Sequence, residues 1–137
     1  MGFLIDTCLW VAIERGAIDI ATIFAITNQV PIYLSPVNVA EMCYGIELMT
    51  DERQRQKALA ALRRMRRKPI LRITRENGEI FGALAAELQR AGRGVDFRVQ
   101  DVWLASQAIQ SDFTLLTANA KDFTDIPGLK VIEVPIP

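Results

Sequence analysis

The segment GFLIDTCLW, residues 2–10, sets three apolar residues, Phe3, Leu4 and Ile5, against an abrupt acid, Asp6. A short run that is apolar at every position reads as a strand buried on both faces, as in a parallel sheet. Beyond Asp6 the pattern turns helical, with Leu9, Trp10 and Ile13 on one face and a stop at Gly16. Ligands of open parallel sheets gather beyond the carboxyl ends of the strands. Asp6 stands at such an end.

The same alternation continues outward. A second helix is predicted over Ala17–Thr27, a strand over Pro31–Ser35, and a helix from Pro36, a residue suited to a first turn. In that helix Val37, Ala40, Tyr44 and Leu48 form an apolar stripe, and Glu41 lies on the face of Tyr44, Gly45 and Leu48. Further helices are predicted over Asp51–Arg67, around Ile80, Phe81, Leu84 and Leu88 with closure at Gly92 and Gly94, and over Asp101–Gln110 with a small-residue stripe at Ala105 and Ala108. Strands are predicted at Ile70–Ile73, Phe113–Thr117 and Val131–Val134, with a turn at Pro127-Gly128. Strands alternating with helices predict a three-layer α/β/α fold on a mainly parallel sheet. With 137 residues and no linker, residues 1–137 read as one domain.

Composition narrows the chemistry. Half the residues are hydrophobic and 23% are charged, which excludes a disordered or coiled-coil chain. No apolar run approaches the roughly 20 residues of a membrane helix, so no membrane partner is expected. The two cysteines, Cys8 and Cys43, are too few for a disulfide scaffold and fit a cytoplasmic location. Without histidine there is no Ser-His-Asp triad, Cys-His dyad or usual zinc set. Catalysis must then rest on carboxylates, metal ions or lysine. Net charge is zero, yet Arg53, Arg55, Lys57, Arg63, Arg64, Arg66, Arg67 and Lys68 fall in one acid-free stretch. Such asymmetry reads either as a polyanion surface or as a solvated helix face.

Asp6 alone reads equally as a helix N-cap, and Asp101 as a first-turn acid favoured by the helix dipole. Asn119 and Asp122, after the Leu115-Leu116-Thr117 run, fit a turn. The set says more. Carboxylates gathered at one sheet edge repel one another by about 3 kcal/mol per pair at about 5 Å and an effective dielectric near 20. Protons or a cation must offset that. An oxygen-only site selects a hard ion, Mg²⁺ or Mn²⁺, and such ions support in-line attack of water on a phosphodiester.

Four segments, FLIDTCLW (3–10), SPVNVAEMCYG (35–45), QDVWLASQA (100–108) and LLTANAKDF (115–123), resemble the successive motifs of PIN-domain proteins. They are most similar to the VapC toxins of bacterial VapBC toxin–antitoxin pairs. The resemblance implies a metal-dependent endoribonuclease acting on tRNA or rRNA, a homodimer, and a VapB-like antitoxin that blocks the site. It maps Asp6, Glu41 and Asp101 onto three acidic metal-site residues. The fourth position is Asn119 where many relatives have aspartate, with Asp122 three residues on. Cys8 stands where relatives often have Asn and reads as a packing variation, and Asp96 is not taken as a ligand.

Two other classes compete. A haloacid-dehalogenase-type phosphatase needs a second Asp where Cys8 stands, and a receiver domain needs paired early acids. A non-catalytic PIN-like module binding RNA or protein is the alternative, with Asn119 in its favour. An antitoxin segment is expected to dock near residues 9–48, anchored by Leu9, Trp10, Ile13, Ile18 and Phe24, with an Arg or Lys placed among Asp6, Glu41 and Asp101.

Overall fold

A computed structural model describes residues 1–93 and 98–137. Four strands, β1 (Phe3–Ile5), β2 (Ile32–Tyr33), β3 (Thr114–Thr117) and β4 (Lys130–Glu133), pair in parallel in the order β2-β1-β3-β4. Among the described residues six α-helices surround them: α1 (Thr7–Glu14), α2 (Ile20–Thr27), α3 (Pro36–Leu48), α4 (Glu52–Met65), α5 (Arg75–Arg90) and α6 (Val99–Ser111). The predicted three-layer α/β/α class is the observed one.

Alternation along the strands builds two cores. Ile5 and its partner Leu116 turn to one face and pack with Leu9, Trp10, Ile23, Ile46, Leu62 and Met65 of α1–α4. Leu4 and its partner Leu115 turn to the other, against Leu84, Leu88, Leu104, Ala105 and Ala108 of α5 and α6. Both faces are covered, so β1 and the middle of β3, Leu115 and Leu116, are apolar on both sides, while the edge strand β4 ends in the exposed Lys130 and Glu133.

The predicted stops at Gly16 and Gly92 hold for one reason. Each takes a positive φ, +75° and +77°, while the amide that follows bonds back to close the helix: Ala17 to the Ala12 carbonyl and Arg93 to that of Leu88. Because Ala17 serves that closure, α2 starts later than predicted, at Ile20, with Asp19 Oδ1 accepting from Ala21 N at 3.0 Å. Gly94 and Asp96 lie outside the described residues.

Two expectations are overturned. Ile70–Ile73 is no strand: a single bridge joins Ile70 to Leu34. Pro69 has no N–H to donate, and Gln107 Nε2 donates to the carbonyls of Leu71 at 2.9 Å and Arg72 at 3.3 Å, bonds a neighbouring strand would otherwise supply. The α3 stripe is also not a core face. Tyr44 is 70% and Leu48 64% exposed, and Ala40 is exposed too. Of the stripe only Val37 is buried; the helix otherwise buries Asn38 and Ile46, and turns Val39, Met42 and Cys43 toward the core that α4 helps build.

Candidate metal centre

The sheet order reverses direction between β1 and β3, and the crevice there is the expected ligand site. The register Ile5 opposite Leu116 carries one residue further, so Asp6 emerges beside Thr117. Asp6 N donates to the Leu116 carbonyl at 2.9 Å. Asp6 occupies the N-cap position of α1, yet its side chain caps nothing. Its Oδ2 instead accepts the Thr117 hydroxyl proton at 2.8 Å. The cap reading of Asp6 is therefore set aside.

Glu41 comes from α3, half-buried, with Oε1 accepting from Thr7 Oγ1 at 2.9 Å. It faces α1 rather than an apolar stripe, which corrects the placement expected from Tyr44 and Leu48. Asp101 enters from the first turn of α6. Asp122 ends the short 3₁₀ turn Ala120–Asp122 after β3.

Electrostatics tie these four together. Burial first, then the charges of Asp6 and Asp122, push the Asp101 carboxyl from 3.8 to about 6, against the opposing pull of Arg98. Burial raises Asp6, the Thr117 hydrogen bond opposes it, and the Asp122 charge adds to the rise. Burial likewise raises Glu41, with Thr7 opposing and Asp6 reinforcing. Asn119 sends no side-chain hydrogen bond into the site among the described residues. Its backbone N–H donates to Thr117 Oγ1 at 3.1 Å, and its carbonyl accepts from Asp122 N.

Cys8 is no packing residue. The residue is exposed while its thiol is partly shielded from water, and that shielding plus the charges of Asp6, Glu41, Asp101 and Asp122 push its pKa up. In the metal-free protein it is a neutral thiol at the mouth of the site, so the charged donors are oxygens. Among the described residues no three acidic or thiol groups already form a cage for an ion. The donor chemistry nevertheless fits a hard divalent cation: anionic oxygens from four elements, each half-buried or near another acid.

Sequence reasoning missed the supporting residues. Arg98 donates to both carboxylate oxygens of Asp125, at 2.7 and 2.9 Å, and to the Asp122 carbonyl. It fastens the start of α6 to the segment after β3. Its signal was a lone arginine three residues before Asp101. Thr7, Asn38 and Thr117 were missed as well, although Thr117 ends β3 just as Asp6 follows β1.

Residues 3–129 match the PIN domain. The chain belongs to the PIN-domain family. A Rickettsia bellii protein named Ribonuclease VapC is 29% identical to this PIN domain over 137 residues, 99% of this chain and 98% of that one. Ribonuclease VapC2 of Rickettsia felis is 31% identical over 98 residues, 72% of this chain and 70% of that one. VapBC2 from Rickettsia felis, solved bound to a DNA fragment from its promoter, superposes with a TM-score of 0.82 at 25% identity, over 98% of this chain and 99% of that one. The resemblance read from the four motifs is thus the right one.

Away from the crevice, an apolar groove of about 220 Å³ opens between α1, α2 and β2, lined by Trp10, Ile13, Ile20, Phe24, Ile32 and Lys68. Of the expected anchors, Leu9 and Ile18 belong to the core instead, and Ile20, which was not among them, is 39% exposed. On α4, Arg64 is spent on Glu14, while Arg53, Lys57 and Arg63 are exposed, as are Arg66 and Arg67 just beyond its end. No helix among the described residues is long and apolar enough to cross a membrane.

Proposed function

We propose that this PIN domain is a Mg²⁺- or Mn²⁺-dependent endoribonuclease, the toxin of a toxin–antitoxin pair. The observation that carries the reading is the convergence of Asp6, Glu41, Asp101 and Asp122 from four elements, with the first three each pushed toward protonation by burial and by the charge of at least one other acid of the set. The relatives named Ribonuclease VapC support the nuclease assignment.

Asp6, Glu41 and Asp101 are the residues that would hold the ion, and Asp122 is better placed than Asn119 to be the fourth acid, because its charge is felt at Asp6 and Asp101. A bound divalent ion supplies Lewis-acid activation of water and of the phosphodiester. The chain supplies position. Thr117 and Thr7 each hold one carboxylate oxygen, of Asp6 and Glu41. A cation would compete with the Asp101 proton for the same oxygens, so its binding would tighten as pH rises through about 6. The exposed arginines of α4 suit contacts to the phosphates of an RNA such as tRNA or rRNA.

A VapB-like antitoxin is the partner, supported by the VapBC2 relative. Its amphipathic segment would seat on Ile20 and Phe24 in the groove, with a cation placed among Asp6, Glu41 and Asp101, where an arginine fork matches carboxylates. The exposed stripe Ala40, Tyr44 and Leu48 is the surface offered to a second copy in a homodimer. Incubation of the purified chain with total RNA in Mg²⁺, Mn²⁺ or EDTA tests the activity. Cleavage with either ion, abolished by EDTA and by Asp6→Asn, is expected. RNA binding without cleavage in any metal would support the non-catalytic module instead.

A further inference from the structure

Asn38 carries more hydrogen bonds than its place in α3 requires. It is fully buried, at 0% exposure. Its Oδ1 accepts from Ser35 N at 2.7 Å, one half of a capping box that starts the helix. That role uses the oxygen alone. The Nδ2 group donates twice more, to the Ile5 carbonyl at 3.1 Å and to Thr7 Oγ1 at 2.8 Å.

These partners fix which way every proton points. A flipped amide would set Oδ1 against the Ile5 carbonyl and NH₂ against the Ser35 N–H, so the orientation has one answer. Thr7 Oγ1 receives a hydrogen from Asn38 and has one of its own to give. Glu41 Oε1, at 2.9 Å, is the acceptor within reach. Glu41 Oε1 is thereby tethered, and Oε2 is the oxygen left for the site.

We propose that Asn38 is a positioning residue for Glu41, acting through the Thr7 hydroxyl to present one carboxylate oxygen to the bound metal ion. The opposite side of the site has the same logic in backbone form: Asn119 N donates to Thr117 Oγ1, whose proton goes to Asp6 Oδ2. Only the Glu41 relay hangs on a side-chain donor, so only there does the sequence choose it. The inference rests on the metal-site reading above.

The molecule contains its own control. Asn77 fills the same capping-box position in α5, is equally buried, and donates to the Ser106 carbonyl and to Gln110, with no bond to any site acid. Mn²⁺ binding to the purified chain, read by calorimetry or by the free-ion electron paramagnetic resonance signal without RNA, is the measurement, with RNA cleavage beside it. Loss of a hydrogen-bond partner behind a ligand weakens metal affinity about 10- to 100-fold. Thr7→Val is expected to weaken Mn²⁺ binding within that range, Thr7→Ser to restore it, and Asn38→Ala to weaken it similarly. The Asn38→Ala/Thr7→Val double variant should bind no worse than the weaker single. Asn77→Ala should lose stability with unchanged Mn²⁺ affinity. Thr7→Val binding like wild type, or Asn38 and Thr7 losses that multiply, would overturn the relay. Should Asn38→Ala not fold, the Thr7→Val and Thr7→Ser pair decides alone. A wild-type chain that binds Mn²⁺ but cuts no RNA would sink the nuclease reading and leave the relay standing. A wild-type chain that binds no Mn²⁺ overturns both.

Discussion

Replacing Asp101 by asparagine should stabilise the metal-free protein at neutral pH, although it removes a residue placed in the site. Asp101 has its carboxyl raised from 3.8 to about 6, by burial and then by the charges of Asp6 and Asp122. A raised native pKa means that the fold prefers the protonated form. Below the unfolded value both states hold the proton and nothing is lost. As pH climbs from about 4 through 6 the unfolded chain releases a proton that the native state keeps, so stability falls with rising pH across that window. Two pKa units at about 1.36 kcal/mol each give about 3 kcal/mol as a ceiling. Solvent screening at a half-buried group and the lost charge–dipole attraction in a first helical turn reduce this to about 1–2 kcal/mol. Arg98 holds the Asp125 carboxyl below its ordinary value and outside this window, whereas Asp6 and Glu41, raised like Asp101, titrate in both proteins and largely cancel in the comparison.

Urea melts in EDTA at pH 4 and pH 7 measure the effect. Wild type and Asp101→Asn should differ little at pH 4, and the variant should lead at pH 7 by about 1–2 kcal/mol, or about 3–8 °C in Tm. Saturating Mn²⁺ should reverse the order, since binding adds about 2.7 kcal/mol to the wild type at a hundredfold excess over Kd. A gap independent of pH, or a wild type that leads at pH 7 in EDTA, would refute the crowded-carboxylate argument.

Asp122→Ala should cut RNA cleavage far more than Asn119→Ala in a turnover assay, because the Asp122 charge reaches Asp6 and Asp101 while Asn119 acts through its backbone. Equal and negligible losses would mean that three acids suffice. Arg98→Ala, which strands the half-buried Asp125 with only the longer Arg93 contact at 3.6 Å, should lower stability by about 1–3 kcal/mol in chemical denaturation. Phe24→Asp, at a 45% exposed groove residue, should weaken antitoxin binding by about 2 kcal/mol or more in a calorimetric titration and leave cleavage by the free chain intact.

The strands at Phe3–Ile5 and around Leu115-Leu116 were legible because residues covered on both faces of a sheet must be apolar at consecutive positions. The stops at Gly16 and Gly92 were legible because a left-handed residue at a helix end favours glycine. Local chemistry also named the acids: Asp6 from its place after β1, Asp101 and Glu41 from their motifs. Periodicity failed on α3. It found the stripe of Val37, Ala40, Tyr44 and Leu48, but it cannot tell which face a neighbouring helix covers, and α4 packs beside a different one. It failed at Ile70–Ile73 because Gln107, more than thirty residues downstream, takes the carbonyls a strand would share.

The sequence by itself determined which segments could be strands and helices, and that histidine chemistry and a thiolate cluster were closed to this chain, since those are properties of neighbours along the chain and of the residue inventory. Only the tertiary structure decided that the charges of Asp6, Glu41, Asp101 and Asp122 reach one another and the Cys8 thiol, and that Thr7 and Thr117 tether two of the acids. Thr117 lies 111 residues from Asp6, and Glu41 lies 34 from Thr7. Burial and Coulomb interaction depend on distance in space. Parallel pairing of β1 with β3 and the packing of α3 on α1 set those distances, and neither is written in the spacing of any one motif.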